Sequence, residues 1–342
     1  YFSPYARNSW YTYNVNMNKI EEFHFDDGTI WDIATIQDKA RFITGTSGDD
    51  SITGFGEWQN VITAGAGNDV IYANSQGDLI DAGEGNDTVY GNSGNDRITG
   101  GVGNDILEGS TGNDTYIFAP GFGVDTIYDN DNGQGNSLDV VEFTAGIASE
   151  DVVVRRLSND DLEITILGTS DKLTIQRFFS NYYRNSSWNT GTNSNAIEEF
   201  RFADGTTWDI AAIKDKVRFI KGTAGDDSIS GFGDQQNIIT AGDGNDTMYA
   251  GSALSDELYG EGGNDTLIGT WGSEKFDGGT GNDYMEGSAG DDIYVFGPGY
   301  GQDVIYDSNQ GQGAGLDKVT FLAGIDPADV SVKRLSNSDL EI

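Results

Sequence analysis

A nine-residue period constrains this chain more than any other feature. From Gly45 the sequence runs GTSGDDSIT, GFGEWQNVIT, AGAGNDVIY, ANSQGDLID, AGEGNDTVY, GNSGNDRIT, GGVGNDILE, GSTGNDTYI. From Gly222 it does so again as GTAGDDSIS, GFGDQQNIIT, AGDGNDTMY, AGSALSDELY, GEGGNDTLI, GTWGSEKFD, GGTGNDYME, GSAGDDIYV. Each block holds eight nonads of the form G-G-x-G-N-D-x-U-x, with U apolar, and three of the sixteen are stretched to ten residues.

The triplet around U reads as a very short strand with one inward apolar residue. The glycines permit positive φ and a close backbone approach in a tight turn. Two nonads then make one coil of two strands and two turns, so successive coils place sixth position above sixth position. In the first block these are Asp50, Asn60, Asp69, Asp78, Asp87, Asp96, Asp105 and Asp114. In the second they are Asp227, Asn237, Asp246, Asp256, Asp265, Glu274, Asp283 and Asp292. Carboxylates stacked at a strand spacing of about 4.8 Å repel one another. Hard cations ligated by oxygen relieve that repulsion, and calcium suits a flexible oxygen site better than magnesium, which demands near-ideal octahedra. The 13 Asp are the expected ligands, with Asn60, Asn237 and Glu274 as weak or vacant positions.

Composition makes the same demand. The 342 residues carry 56 Asp plus Glu against 19 Lys plus Arg, a formal net charge of -37. Val, Ile, Leu and Phe make up about 23% of the chain, just above the roughly 20% below which a highly charged chain stays disordered. Such a charge argues against nucleic acid, whose phosphates need clustered Lys and Arg, and against anionic membrane surfaces. No apolar run reaches the 18 residues that suggest a transmembrane helix. With no Cys at all, disulfides and thiolate sites are excluded, and metal ligation is the remaining staple.

The nonads resemble the calcium-binding repeats of RTX (repeats-in-toxin) proteins, a motif with a known calcium role. The resemblance implies two right-handed parallel β-rolls, up to about six calcium ions per roll, type I secretion, and folding on meeting external calcium. The segment after each block, with its signature EEFRFADGTTWD, resembles the flanking domain of hemolysin-related and iron-regulated RTX proteins. The fold class is therefore all-β, each roll followed by an antiparallel β capping region with one short helix.

A longer repeat lies over the nonads. The stretch beginning IEEFHFDDGT at Ile20 returns from Ile197, and GNDTYIF at Gly112 returns as GDDIYVF at Gly290. The expected boundaries are 1–44 as the end of a preceding unit, 45–118 as the first roll, 119–221 as a linking region with a helix at about 208–217, 222–296 as the second roll, and 297–342 as a partial cap. Alternations at Val152 to Val154, Leu162 to Ile166 and Leu173 to Ile175 predict antiparallel strands, followed by a strand at Glu198 to Phe202. A helix is predicted at Trp208 to Val217, with its copy at Trp31 to Ala40.

Other candidates are weaker. Asp125, Asp129 and Asp131, with copies Asp303, Asp307 and Asn309, suit either a peripheral ion or turns, and fail the EF-hand pattern. Asp326-Pro327 suits a helix start. The aromatic clusters around Tyr1, Phe2, Tyr5, Trp10, Tyr11, Tyr13 and Phe178, Phe179, Tyr182, Tyr183, Trp188 favour packing between units over glycan binding. Catalysis has no support: His24 becomes Arg201 in the copy, and no nucleophile or zincin motif appears. The expected function is a calcium-driven structural or adhesive module of a secreted or cell-surface protein, set in a tandem array with self-assembly among its units. The alternative is the export and folding region of a toxin or enzyme whose active domain lies elsewhere.

Overall fold

The computed structural model describes residues 22–56, 58–130, 137–180, 197–251, 254–307, 315–335 and 340–342. The chain divides into two compact units, Tyr1–Ile210 and Ala211–Ile342. Both are parallel β-solenoids.

In the first unit the chain alternates between two eight-stranded sheets. One holds Ser51–Thr53, Val70–Tyr72, Thr88–Tyr90 and Ile106–Glu108 in parallel order. The other holds Phe42–Thr44, Val61–Ala66, Leu79–Glu84, Arg97–Val102 and Thr115–Phe118, also parallel. The register places Ile62, Ile80, Ile98 and Tyr116 side by side on one sheet and Ile52, Ile71, Val89 and Leu107 on the other. These are the U residues, and all eight are buried. Burying each contributes roughly 1.5–3 kcal/mol, so the apolar row is the core that a one-in-nine pattern can supply.

Glycine sets how closely the coils stack. At Gly83, φ is +110° and a Cβ would run into the Gly65 carbonyl oxygen of the coil before it, so only glycine lets the two backbones approach. At other second positions Asn74, Asn92 and Ser110 also take positive φ, a conformation Asn tolerates better than most residues.

The segment after the nonads does more than cap the roll. Val124–Ile127 and then Lys172–Ile175 extend the first sheet in parallel, and Val140–Phe143 and Glu199–Phe202 extend the second. Antiparallel strands then follow: Leu162–Ile166 and Val152–Arg156 beyond one sheet, Thr207–Asp209 beyond the other. Phe118, Phe143 and Phe202 fall in register, with ring centroids 6.1 and 5.2 Å apart, and Trp208 closes on Phe202 at 4.7 Å. The U row itself continues from Tyr116 into Val141 and Phe200, and the aromatic stack lies two residues further along the same strands. Phe178 and Phe179 are buried as an edge-to-face pair within the first unit, Phe178 also lying against Phe200; the remaining members of the two aromatic clusters lie outside the described residues.

The second unit has the same parallel arrangement. Six strands run from Phe219–Lys221 to Lys318–Phe321 and five from Ser228–Ser230 to Val304–Tyr306. Ile239, Met248, Leu258, Leu267, Phe276, Met285 and Tyr294 form one buried cluster, with Ile229 packed partly exposed at its start.

Three local expectations are sharpened. The helices span Ile33–Ala40 and Ile210–Val217, because Trp31 and Trp208 belong to short strands that precede them. Asp32 caps the first helix, its carboxylate accepting the Thr35 N–H at 2.9 Å. Asp326 begins a single turn rather than a helix, accepting the Ala328 N–H at 2.9 Å with its side chain. Among the described residues no helix is long and apolar enough to cross a membrane.

Candidate metal centre

The sixth-position side chains form two columns along each roll. In the first roll, Oδ1 of Asp69 accepts the backbone N–H of Asp50 at 2.7 Å, Asp87 accepts from Asp69 at 2.7 Å, and Asp105 accepts from Asp87 at 2.8 Å. The second column begins at Asn60, whose N–H goes to Asp78 at 2.5 Å; Asp96 then accepts from Asp78 at 2.7 Å and Asp114 from Asp96 at 2.8 Å. In the second roll, Asp246, Asp265 and Asp283 take the corresponding N–H groups of Asp227, Asp246 and Asp265 at 2.7–2.8 Å. Asp256 accepts from Asn237 at 2.6 Å, and Asp292 from Glu274 at 2.8 Å.

The fifth-position Asn forms a second ladder that runs the opposite way. Asn68 Oδ1 accepts from Asn86 N–H, and Asn86 Oδ1 from Asn104 N–H, both at 2.8 Å. Each Asp therefore holds the coil before it and each Asn the coil after it. This accounts for the Asn-Asp pair, to which sequence reasoning gave a role only at the Asp.

One oxygen of most of these Asp is left over. Oδ2 of Asp69, Asp78, Asp87, Asp96 and Asp105 in the first roll is buried without a hydrogen-bond partner, as is Oδ2 of Asp246, Asp265, Asp283 and Asp292 in the second. The first-position glycines lie over these atoms: a Cβ on Gly91, Gly100, Gly260 or Gly278 would collide with Oδ2 of Asp96, Asp105, Asp265 or Asp283. Nine bare carboxylate oxygens in a folded interior are costly unless something positive meets them. A hard, oxygen-seeking cation fits this donor set.

Burial works against charge here. Desolvation, opposed by the backbone hydrogen bond and reinforced by the neighbouring carboxylate, pushes Asp96 up to about 7 and Asp105 to about 6. Asp265 and Asp292 rise to about 6 for the same first cause.

The remaining sixth positions have found other partners. Asn60 is fully buried, and its Nδ2 donates to the carbonyls of Phe55, Trp58 and Ala73 at 3.1–3.2 Å and to Asp78 Oδ1 at 2.9 Å. Asn237 does the same with Phe232, Gln235 and Asp256 at 3.0 Å. In both places an amide –NH₂ gathers the oxygens that a cation would otherwise gather. Asp50 Oδ2 accepts from the Thr46 N–H at 2.6 Å and the Thr46 hydroxyl at 2.9 Å, and Asp227 is held the same way by Thr223. Glu274 Oε2 reaches the Thr270 N–H at 3.0 Å, its carboxyl pushed up to about 8 by burial. Asp256 Oδ2 accepts from Gly251 N–H at 3.1 Å.

The columns also run beyond the nonads. Asp125 Oδ1 accepts from Asp105 N–H, and Asp139 Oδ1 from Asp114 N–H, both at 2.8 Å, after which Glu198 accepts from Asp139. Asp303 and Asp317 repeat this in the second unit. Asp125 Oδ2 is also bare, and burial pushes its carboxyl to about 8. Asp139 was missed in the sequence because the spacing changes from 18 to 25 residues; the signal was an Asp-x-apolar triplet, Asp139-Val140-Val141. Asp131 and Asn309 lie outside the described residues.

Comparison with known proteins agrees with this geometry. The family model for the RTX calcium-binding nonapeptide repeat (4 copies) matches residues 42–56, 59–89, 81–116, 219–235, 233–253, 255–273 and 268–303. The model for the haemolysin-type calcium binding protein related domain matches 8–35 and 161–212. Iron-regulated protein FrpA of Neisseria meningitidis serogroup C is 37% identical over 115 residues, which is 34% of this chain and 9% of that protein. The chain thus spans less than a tenth of this relative's length. Among solved structures, the extracellular lipase LipA of Serratia marcescens aligns over 80% of this chain and 44% of its own at 16% identity, with a TM-score of 0.25, too low to bear on the fold. With its nonads in parallel stacked coils and its flanking segments matched, the chain is an RTX protein of the hemolysin-type, calcium-binding repeat family.

Proposed function

We propose that the chain is a calcium-conditional scaffold: unfolded where calcium is scarce, folded outside the cell, and serving there as a structural or adhesive unit of a tandem array. The observation that carries this is the row of buried Asp oxygens without hydrogen-bond partners. Asp69, Asp78, Asp87, Asp96 and Asp105, with Asp246, Asp265, Asp283 and Asp292, are the ligands we assign. Asp50, Asp227 and Asp256 are assigned minor roles, since backbone or Thr donors already hold their second oxygen.

The magnitudes are sufficient. At ~1 mM calcium and a site constant of ~10⁻⁴ M, each ion contributes about 1.4 kcal/mol. Four to six such ions give roughly 6–8 kcal/mol, comparable to the whole stability of a domain. At micromolar calcium the contribution nearly vanishes, which leaves the chain expanded for export. A circular dichroism titration with calcium and a chelator tests this; strand content indifferent to chelator would sink it.

A second reading places the activity elsewhere in a longer protein, with these rolls as its export and folding region. It draws on the small share, 9%, of the curated relative that the chain matches. Truncation upstream in the full-length protein separates the two: loss of a toxic or hydrolytic activity with retained secretion favours the second.

A further inference from the structure

Each roll ends in an acidic group that the nonads alone do not supply. Asp114, the last sixth-position Asp of the first roll, stands with Asp129 and Asp139 of the following segment. One carboxylate oxygen from each lies within 4.8 Å of the others, and all three residues are buried. Asp292, Asp307 and Asp317 form the corresponding group in the second unit, where Asp292 alone is buried.

The copy shows where the oxygens point. Asp292 is 0% exposed; its Oδ1 accepts from Glu274 N–H, and its buried Oδ2 has no hydrogen-bond partner. A Cβ on Gly287 would collide with both that Oδ2 and the Tyr294 hydroxyl, so the two atoms face one spot. The Tyr294 hydroxyl donates to Asp307 Oδ2 at 3.0 Å, and Asp307 Oδ1 is buried without a partner. In the first roll a Cβ on Gly109 would meet Asp114 Oδ2 and the Tyr116 hydroxyl in the same way, and that hydroxyl accepts the Gly109 N–H at 2.7 Å.

We propose that Asp114, Asp129 and Asp139, and likewise Asp292, Asp307 and Asp317, form a terminal calcium site at the end of each roll. The ion fastens the segment after the nonads onto the last coil. Three carboxylate oxygens within 4.8 Å of one another, about twice a calcium–oxygen distance, can share one hard divalent cation, and ligands drawn from three separate stretches of chain suit calcium's loose geometry. Three carboxylates also bind more tightly than fewer, so these sites fill before the inter-turn positions. The choice of ion rests on the calcium reading above; the existence of the site does not.

The test uses the whole chain and terbium as a calcium surrogate, excited through tyrosine, because Tyr116 and Tyr294 lie against the two sites. The double variant Asp129→Asn with Asp307→Asn touches no nonad. It is expected to bind two fewer calcium ions by calorimetry, to lose the tightest phase, and to lose most terbium emission at low loading, while keeping the calcium-induced strand signal. Tyr116→Phe with Tyr294→Phe should dim the emission with the ion count unchanged. An Asn double variant with the parent's ion count and tight phase overturns the site. Two tight ions bound by the parent without any gain of strand would sink the calcium reading of the nonads and leave the terminal sites standing. If the Asn variant does not fold, Asp129→Glu with Asp307→Glu decides: a weakened tight phase supports the site, an unchanged one overturns it.

Discussion

The two rolls are copies that differ in one column. In the column through Asp69, Asp87 and Asp105 the first roll matches the second at Asp246, Asp265 and Asp283, and all six carry a bare buried oxygen. The other column departs. The first roll has Asp78 and Asp96 with bare oxygens, whereas the second has Asp256 and Glu274, whose spare oxygens accept from Gly251 and Thr270. On the proposed calcium reading, capacity for metal follows whether the turn supplies a donor to the second carboxylate oxygen, and counting acidic residues would overstate it. The second roll should hold fewer ions and need more calcium to fold.

The largest effect expected is on removal of calcium. Hydrogen exchange at neutral pH should show protection lost across both rolls with chelator, and on titration peptides from 61–116 should recover it at lower calcium than peptides from 238–295. Equal midpoints would break the comparison.

Protons come next. The folded, calcium-free carboxyls of Asp96 at about 7, Asp125 at about 8 and Glu274 at about 8 lie above their ordinary values because burial disfavours the charged form. Folding then takes up protons, so stability of the calcium-free chain is greatest below about pH 4 and falls as pH rises to about 8. Calcium-stripped protein should gain strand signal by circular dichroism between pH 8 and pH 5, and calcium binding should release protons in that window. A calcium-free chain equally unfolded at both pH values would contradict this.

Single substitutions sharpen the contrast further. Asp96→Asn should raise the calcium midpoint of the first roll about twofold, because the ~1.4 kcal/mol of the lost site is shared among the ions that remain, while Asp256→Asn should leave the midpoint of the second nearly unchanged. Smallest of all, Asn60→Asp should add one ion to the first roll by calorimetry. It replaces an amide already bonded to three carbonyls, so the gain in calcium affinity is offset by the donors it removes.

Much of this was legible in the sequence, because a strict period leaves few alternatives. The U positions fell on the buried face, from Ile62 to Tyr116, since a strand of three residues has room for one inward side chain. Asn60 and Asn237 stood out as departures for the same reason. What the period hid was the partner of the second oxygen. Thr46, Thr223 and Thr270 look like ordinary second-position variants, and only the folded turn brings their N–H onto the acid four residues later. That the columns continue through Asp125, which the sequence marked only as a peripheral ion or turn residue, and through Asp139 was hidden by a change of spacing to 20 and 25 residues. Loop length varies freely there because the backbone pairing that fixes the register lies in the strands.

The opposed Asp and Asn ladders also have a mechanical consequence. Because the Asp and Asn ladders tie each coil to the coils before and after it, a pull on the ends meets these bonds one coil at a time. Extension should then proceed in steps, each freeing 18 residues, or about 60 Å of chain. With calcium in place each step would need more force, so the calcium concentration would set the tension at which the solenoid begins to lengthen.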